Sequence, residues 1–160
     1  MTKKKHKLIL KLILLFNIFA LIAAYFIEYV LGHQPCNLCL IERIPFVIAI
    51  IIILFCLYFK KLEKLSFIFL SSIFFIATLI SFYHFGIEQG FIKESLVCDL
   101  DIKSDILTKE DLLNQLKQKT ISCKDVTFKF LGFSLATINI FTSLVLSYIT
   151  LKIFLSYEKN

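Results

Sequence analysis

The sequence predicts an all-α membrane protein, a four-transmembrane-helix bundle with two external loops, and three observations carry that prediction. Hydrophobic residues make up 58% of the 160-residue chain and mean hydropathy is +0.82, well above the roughly 45–50% apolar content of soluble domains. Four apolar stretches approach the roughly 20 residues that a helix needs to cross a hydrocarbon core of about 30 Å. Lysines gather at one set of stretch ends and carboxylates at the other. With only four glycines and two prolines, collagen-like and flexible low-complexity chains are excluded. Residues 1–160 therefore read as a single integral membrane domain.

The elements follow in order. Span one, 8–31, comes after the basic stretch "MTKKKHK". Its apolar core exceeds the roughly 7–15 residues of a signal-peptide core and ends without an A-x-A exit, so it reads as a retained helix. Span two, 40–59, must begin near Leu40, because a start at Ile44 would leave only about 24 Å of helix. Pro45 is comfortable only in a first turn, so this span either starts later or bends there. Span three, 65–85, carries Ser71, Thr78, Ser81 and His84 on one helical stripe that continues to Glu88, and such a stripe faces a bundle interior. Span four, 133–155, is flanked and crossed by Gly132, Ala136, Asn139, Ser143 and Ser147 at helical spacing, which reads as close packing, not chemistry. External loops fall at 32–39 and 86–132. In the second, Thr108 and Asp111 form a capping box for a short amphipathic helix presenting Leu112, Leu113 and Leu116.

Charge sets the orientation. Ten lysines, at 3, 4, 5, 7, 11, 60, 61, 64, 152 and 159, face only Glu63 and Glu158 on one side of the bundle. The other side holds Arg43 and the remaining lysines among an excess of carboxylates. Lysine near span ends marks the cytoplasmic face. Both termini are therefore expected inside a bacterial inner membrane, with the cysteine loops in the periplasm. Since topology accounts for the net charge of +6, no nucleic acid is needed as a partner.

Four of the five cysteines then lie outside, where disulfides form: Cys36 and Cys39 in the first loop, Cys98 and Cys123 in the second. Cys56, within span two, reads as a small buried hydrophobe. Four cysteines allow three connectivities, and spacing alone leaves them open. Two structural bridges would staple the loops, yet a bridge across a CxxC closes too short a loop to remove much chain entropy. CxxC is instead the spacing of disulfide exchange. A zinc site built from all four cysteines would lack the short second knuckle, and no metal ligand is assigned. Arg43 is the only arginine in the chain. At one helical turn from Cys39 it is placed to stabilise a thiolate there and negative charge on a docked acceptor; snorkelling to headgroups or pairing with Glu42 are the blander roles.

The segment "PCNLCLIER" ahead of span two, "YHFGIEQG" leading towards Cys98, and Cys123 followed by "FLGFSLATIN" together resemble the DsbB family of bacterial disulfide-forming membrane proteins, over most of the chain. The resemblance implies a four-helix bundle that holds a quinone, ubiquinone or menaquinone, and oxidises a periplasmic DsbA-like thioredoxin-fold partner. Carried over by position, it implies a Cys98–Cys123 disulfide attacked by the partner, with Cys98 in the mixed disulfide. It further implies electron transfer to Cys36–Cys39, contact of Cys39 with the quinone, positive charge from Arg43, and His84 near the ring. Family members often carry a tryptophan before span four; this chain has none and offers Phe128 and Phe130. The expected activity is thiol:quinone oxidoreduction that drives disulfide formation in exported proteins. The competing expectations are a vitamin K epoxide reductase-like enzyme, in which the order of the cysteine pairs is reversed, and a non-enzymatic four-span scaffold with two structural disulfides.

Overall fold

The computed structural model describes residues 3–59, 63–93, 98, 123–124, 128–130 and 132–158. Among these, α1 runs Lys3–Tyr29, α2 Asn37–Ile41, α3 Ile44–Tyr58, α4 Glu63–Glu88 and α5 Leu135–Glu158. Among the described residues, four helical units are long and apolar enough to cross a membrane: Lys5–Tyr29, Asn37–Tyr58, Glu63–Glu88 and Leu135–Ser156. All four expected spans are thus present, with ends shifted by a few residues. The expected amphipathic helix around Thr108–Leu116 lies outside the described residues.

Local chemistry explains the ends. Span two is a helical turn, α2, that breaks at Glu42 and Arg43 before α3 begins. Pro45 sits in the first turn of α3, where its missing N–H breaks no helical bond. The question raised by Pro45 resolves as an early start plus an interruption. Helix α4 closes through Gly90, whose φ of +76° lets Ile92 N–H return to the Gly86 carbonyl at 3.1 Å. Gly86 itself has no room for a side chain, since a Cβ there would lie 2.6 Å from Ile92 Cδ1. Before α5, β1 (Lys129–Phe130) and β2 (Phe133–Ser134) form a small antiparallel hairpin, with Lys129 opposite Ser134 and Phe130 opposite Phe133. Gly132 occupies the turn at φ +86°, which corrects its reading as part of a helix-packing stripe. Ser134 then caps α5 by accepting the Thr137 N–H at 3.3 Å.

The principal helix contacts run α1–α3, α3–α4 and α4–α5. A buried apolar core of Leu10, Ile53, Phe67, Leu70 and Phe74 joins the first three, with Leu146 and Ile153 from α5. Cys56 belongs to this core and is 1% exposed. The outward faces carry Leu15, Phe19, Phe55, Phe82, Phe141 and Tyr148, as expected of surfaces that meet lipid. Ser71, Thr78, Ser81 and His84 are all buried, so the stripe does face the interior. Ser71 and Ser147 each donate to the other's backbone carbonyl, at 3.3 and 3.1 Å, drawing α4 and α5 together.

Candidate functional site

The two cysteine pairs meet. Cys98 and Cys123 are joined by a disulfide with Cα atoms 5.8 Å apart. Both are buried in one cluster with Cys36, Leu38 and Ile87, against which Cys39 and Tyr83 pack. Cys36 and Cys39 are free thiols whose sulfurs stand 2.6 Å apart. Cys36 is the N-cap of α2, and its sulfur accepts the Cys39 backbone N–H at 3.3 Å. His84 on α4 brings Nε2 to 3.5 Å from the same sulfur. These hydrogen bonds, led by that from the Cys39 thiol, hold the Cys36 thiol well below the ordinary value of 9.0. The expected thiolate stabilisation at Cys39 by Arg43 is not what forms: donors converge on Cys36, and Arg43 has a different partner.

That partner is Glu28 at the end of α1. Arg43 Nη1 donates to Glu28 Oε2 at 2.5 Å, with both side chains largely buried, and the guanidinium carbon lies 4.9 Å over the Tyr25 ring. Arg43 therefore neither snorkels nor pairs with Glu42. Glu42, the preceding residue, turns to α4 and accepts from His84 Nδ1 at 2.7 Å. Its second oxygen accepts from Asn139 Nδ2 at 2.9 Å, and Asn139 also donates to Ser81 at 2.8 Å. Glu88 lies 3.8 Å from His84 Nε2 and accepts from Ser134 at 2.5 Å. Asn139, read from sequence as packing, is thus part of the polar cluster. Glu28 and Tyr25 were missed as partners of Arg43. The signal for Glu28 was present: a carboxylate near membrane depth seeks a partner, and the chain has one arginine to offer.

A cavity of about 350 Å³ opens between α1 and α5 beneath this cluster. Cys36, Cys39, Arg43, His84 and Cys123 all border it. Ala20, Ala23 and Ala24 of α1 leave the space, and Phe16, Phe46 and Phe128 contribute aromatic wall. Phe128 also packs on His33 at 5.3 Å between ring centroids. Five of the six sequence-nominated residues therefore share one wall, and the sixth, Cys98, is bonded to Cys123. A mostly apolar chamber with a few convergent polar groups is the usual form of a small-molecule site.

Comparison with known proteins agrees with this arrangement. The family described as "Disulfide bond formation protein DsbB" matches residues 6–153. The uncharacterized protein RP370 of Rickettsia prowazekii (strain Madrid E) is 29% identical over 160 residues, covering 99% of this chain and 92% of its own length. No solved structure matches the chain significantly. The match extends over nearly the whole described bundle, including both cysteine pairs and all the spanning helices, and so the chain belongs to the DsbB family, as a multi-pass inner-membrane oxidoreductase of disulfide bond formation.

Proposed function

We propose that this chain is a thiol:quinone oxidoreductase that reoxidises a periplasmic DsbA-like dithiol partner and passes the electrons to a membrane quinone, ubiquinone or menaquinone. The observation that carries the reading is that Cys39, Arg43, His84 and Cys123 border one and the same cavity. Its volume suits a quinone head group, and its walls of Phe and Ala suit a lipid-soluble ligand.

A partner thiolate attacks Cys98, forming a mixed disulfide and releasing Cys123 as thiolate. The partner's second thiolate breaks that bond and leaves as a disulfide, so Cys98 and Cys123 hold two electrons. Exchange with the oxidised Cys36–Cys39 pair returns the loop disulfide and reduces the inner pair, which is the combination of bonded and free cysteines described above. Quinone, when bound, supplies a two-electron, two-proton acceptor. Cys39 borders the cavity that would hold it. His84, oriented by Glu42, exchanges a proton with Cys36 along their contact. Arg43, anchored by Glu28 and Tyr25, keeps a charged planar donor group at the rim at any physiological pH. A partner that is itself a strong oxidant needs an acceptor of still higher potential than a thiol pair, which gives the apolar chamber its role in setting direction.

The test is thiol-dependent quinone reduction in purified membranes. Cys39→Ser should abolish it, and substantial residual turnover would remove Cys39 from the path. Cys123→Ser should trap a mixed disulfide through Cys98 with a thioredoxin-fold dithiol protein; failure to trap would favour a scaffold with structural bridges.

A further inference from the structure

Electron relay requires two sulfurs at the inner pair, yet folding delivers three ligand atoms there. Cys36 Sγ, Cys39 Sγ and a ring nitrogen of His84 all lie within 4.8 Å of one another. The 3.5 Å from Cys36 Sγ to His84 Nε2 is about the edge of a tetrahedron with zinc–sulfur bonds near 2.3 Å and zinc–nitrogen bonds near 2.0–2.1 Å. The other ring nitrogen is held by the Glu42 carboxylate at 2.7 Å. That carboxylate–imidazole pairing fixes the orientation of metal-bound histidines. The sulfurs stand 2.6 Å apart; sharing one zinc requires about 3.8 Å, so binding must part them. Glu88 Oε1, 3.8 Å from His84 Nε2, and the adjoining cavity offer a fourth position to a carboxylate or a water.

We propose that the reduced Cys36–Cys39 pair and His84 form a site for a thiophilic divalent cation of the Zn²⁺ type, whose binding closes the pair to disulfide exchange. Sequence reasoning set zinc aside because it sought four cysteines; the third ligand comes instead from α4. Binding moves no electrons. Two metal–sulfur bonds form, and whatever protons the two sulfurs still carry leave to solvent. The sulfur lone pairs that would attack a disulfide are then engaged at the metal, and chelation returns the dithiol. Oxidation of the pair removes both sulfur ligands, so the site exists only in the reduced chain. Metal binding stands independently of the quinone reading; its inhibitory consequence rests on that reading.

The experiment uses the full chain in detergent, reduced or oxidised, titrated with Zn²⁺ against a chromophoric chelator and with Co²⁺ for its spectrum. One Zn²⁺ per reduced chain and none per oxidised chain is expected, with a thiolate-to-Co²⁺ charge-transfer band. The double variant Cys98→Ser, Cys123→Ser should keep the metal, since the loop thiols are not ligands. Glu42→Gln should weaken affinity by about 10–100-fold while keeping the spectrum. Absence of Zn²⁺ from the reduced chain, equal binding by the oxidised chain, loss of metal in the loop variant, or unchanged affinity in His84→Ala would each overturn the site. Turnover unaffected at saturating Zn²⁺ would overturn the inhibition. A chain that binds Zn²⁺ as described but reduces no quinone would instead refute the function proposed above and leave the metal site standing.

Discussion

In the half of the bundle nearer the lysine-rich ends, Leu10, Ile53, Phe67 and Leu70 are completely buried and meet one another as an apolar core. At the cysteine end the buried side chains include Cys36, Glu42, Ser81 and His84 beside Leu38 and Ile87, the polar ones linked by hydrogen bonds that cross from α2 to α4 and α5. The first arrangement costs nothing in desolvation and holds helices by dispersion, since lipid offers no hydrophobic drive between them. The second buries ionisable groups, an expense of several kcal/mol per ion before pairing. A bundle could be stable with the apolar solution at both ends. The lysine-rich end also buries polar side chains, His6, Ser66 and Thr150 among them; what sets the cysteine end apart is that its buried ionisable groups reach the Cys36–Cys39 pair, which marks where the protein trades packing for chemistry.

The contrast can be broken by substitution. Glu42→Ala should have the largest effect, about 3–5 kcal/mol of stability, because it strands His84 and Asn139 without their shared acceptor; denaturation in detergent measures it, and a loss below about 1 kcal/mol would mean that the network is ornamental. Leu70→Ala should cost about 2–5 kcal/mol through the cavity it leaves, yet quinone reduction per folded molecule should be unchanged. Lost turnover there would show that the two halves are not separable.

A smaller effect is set by pH. Cys36 is held below the ordinary thiol value of 9.0, chiefly by the Cys39 hydrogen bond and then by His84. At Cys36 alone, the folded, reduced chain thus binds fewer protons than the unfolded one. The increment contributed by this one group is complete above pH 9.0, fades as pH falls, and is lost below its folded pKa. The Cβ chemical shift of Cys36, followed by NMR, should titrate below a free cysteine and move upward in His84→Ala; an inflection at the free value in the native chain would refute the hydrogen-bond account. Smallest of all, Ser71→Ala should cost about 0.6 kcal/mol, the mean for an interhelical hydrogen bond in lipid, with no change in turnover.

Much of the fold was legible because spans are a local property. In hydrocarbon every backbone N–H and C=O must be satisfied within the segment, so length and apolarity nearly dictate helix. The stripe from Ser71 to His84 was legible for a related reason, since helical spacing alone groups its members. The candidate site was legible in its members: Cys36, Cys39, Arg43, His84 and Cys123 could all be nominated, and all border one cavity. Less legible was the function of Asn139, because a lone amide in a span serves packing and networks alike.

Composition and periodicity thus decided how many helices are long and apolar enough to cross and which side chains face inward. Partnership was decided by tertiary structure. Glu42 and Arg43 are neighbours in the chain, and a helix turns by about 100° per residue. At the break between α2 and α3 they point apart, Glu42 to His84 on α4 and Arg43 to Glu28 on α1. No spacing rule within one helix can foretell a pairing between helices, because it depends on how those helices are rotated against one another. The same rotation brings His84 to Cys36, turning a two-sulfur motif into a three-ligand cluster.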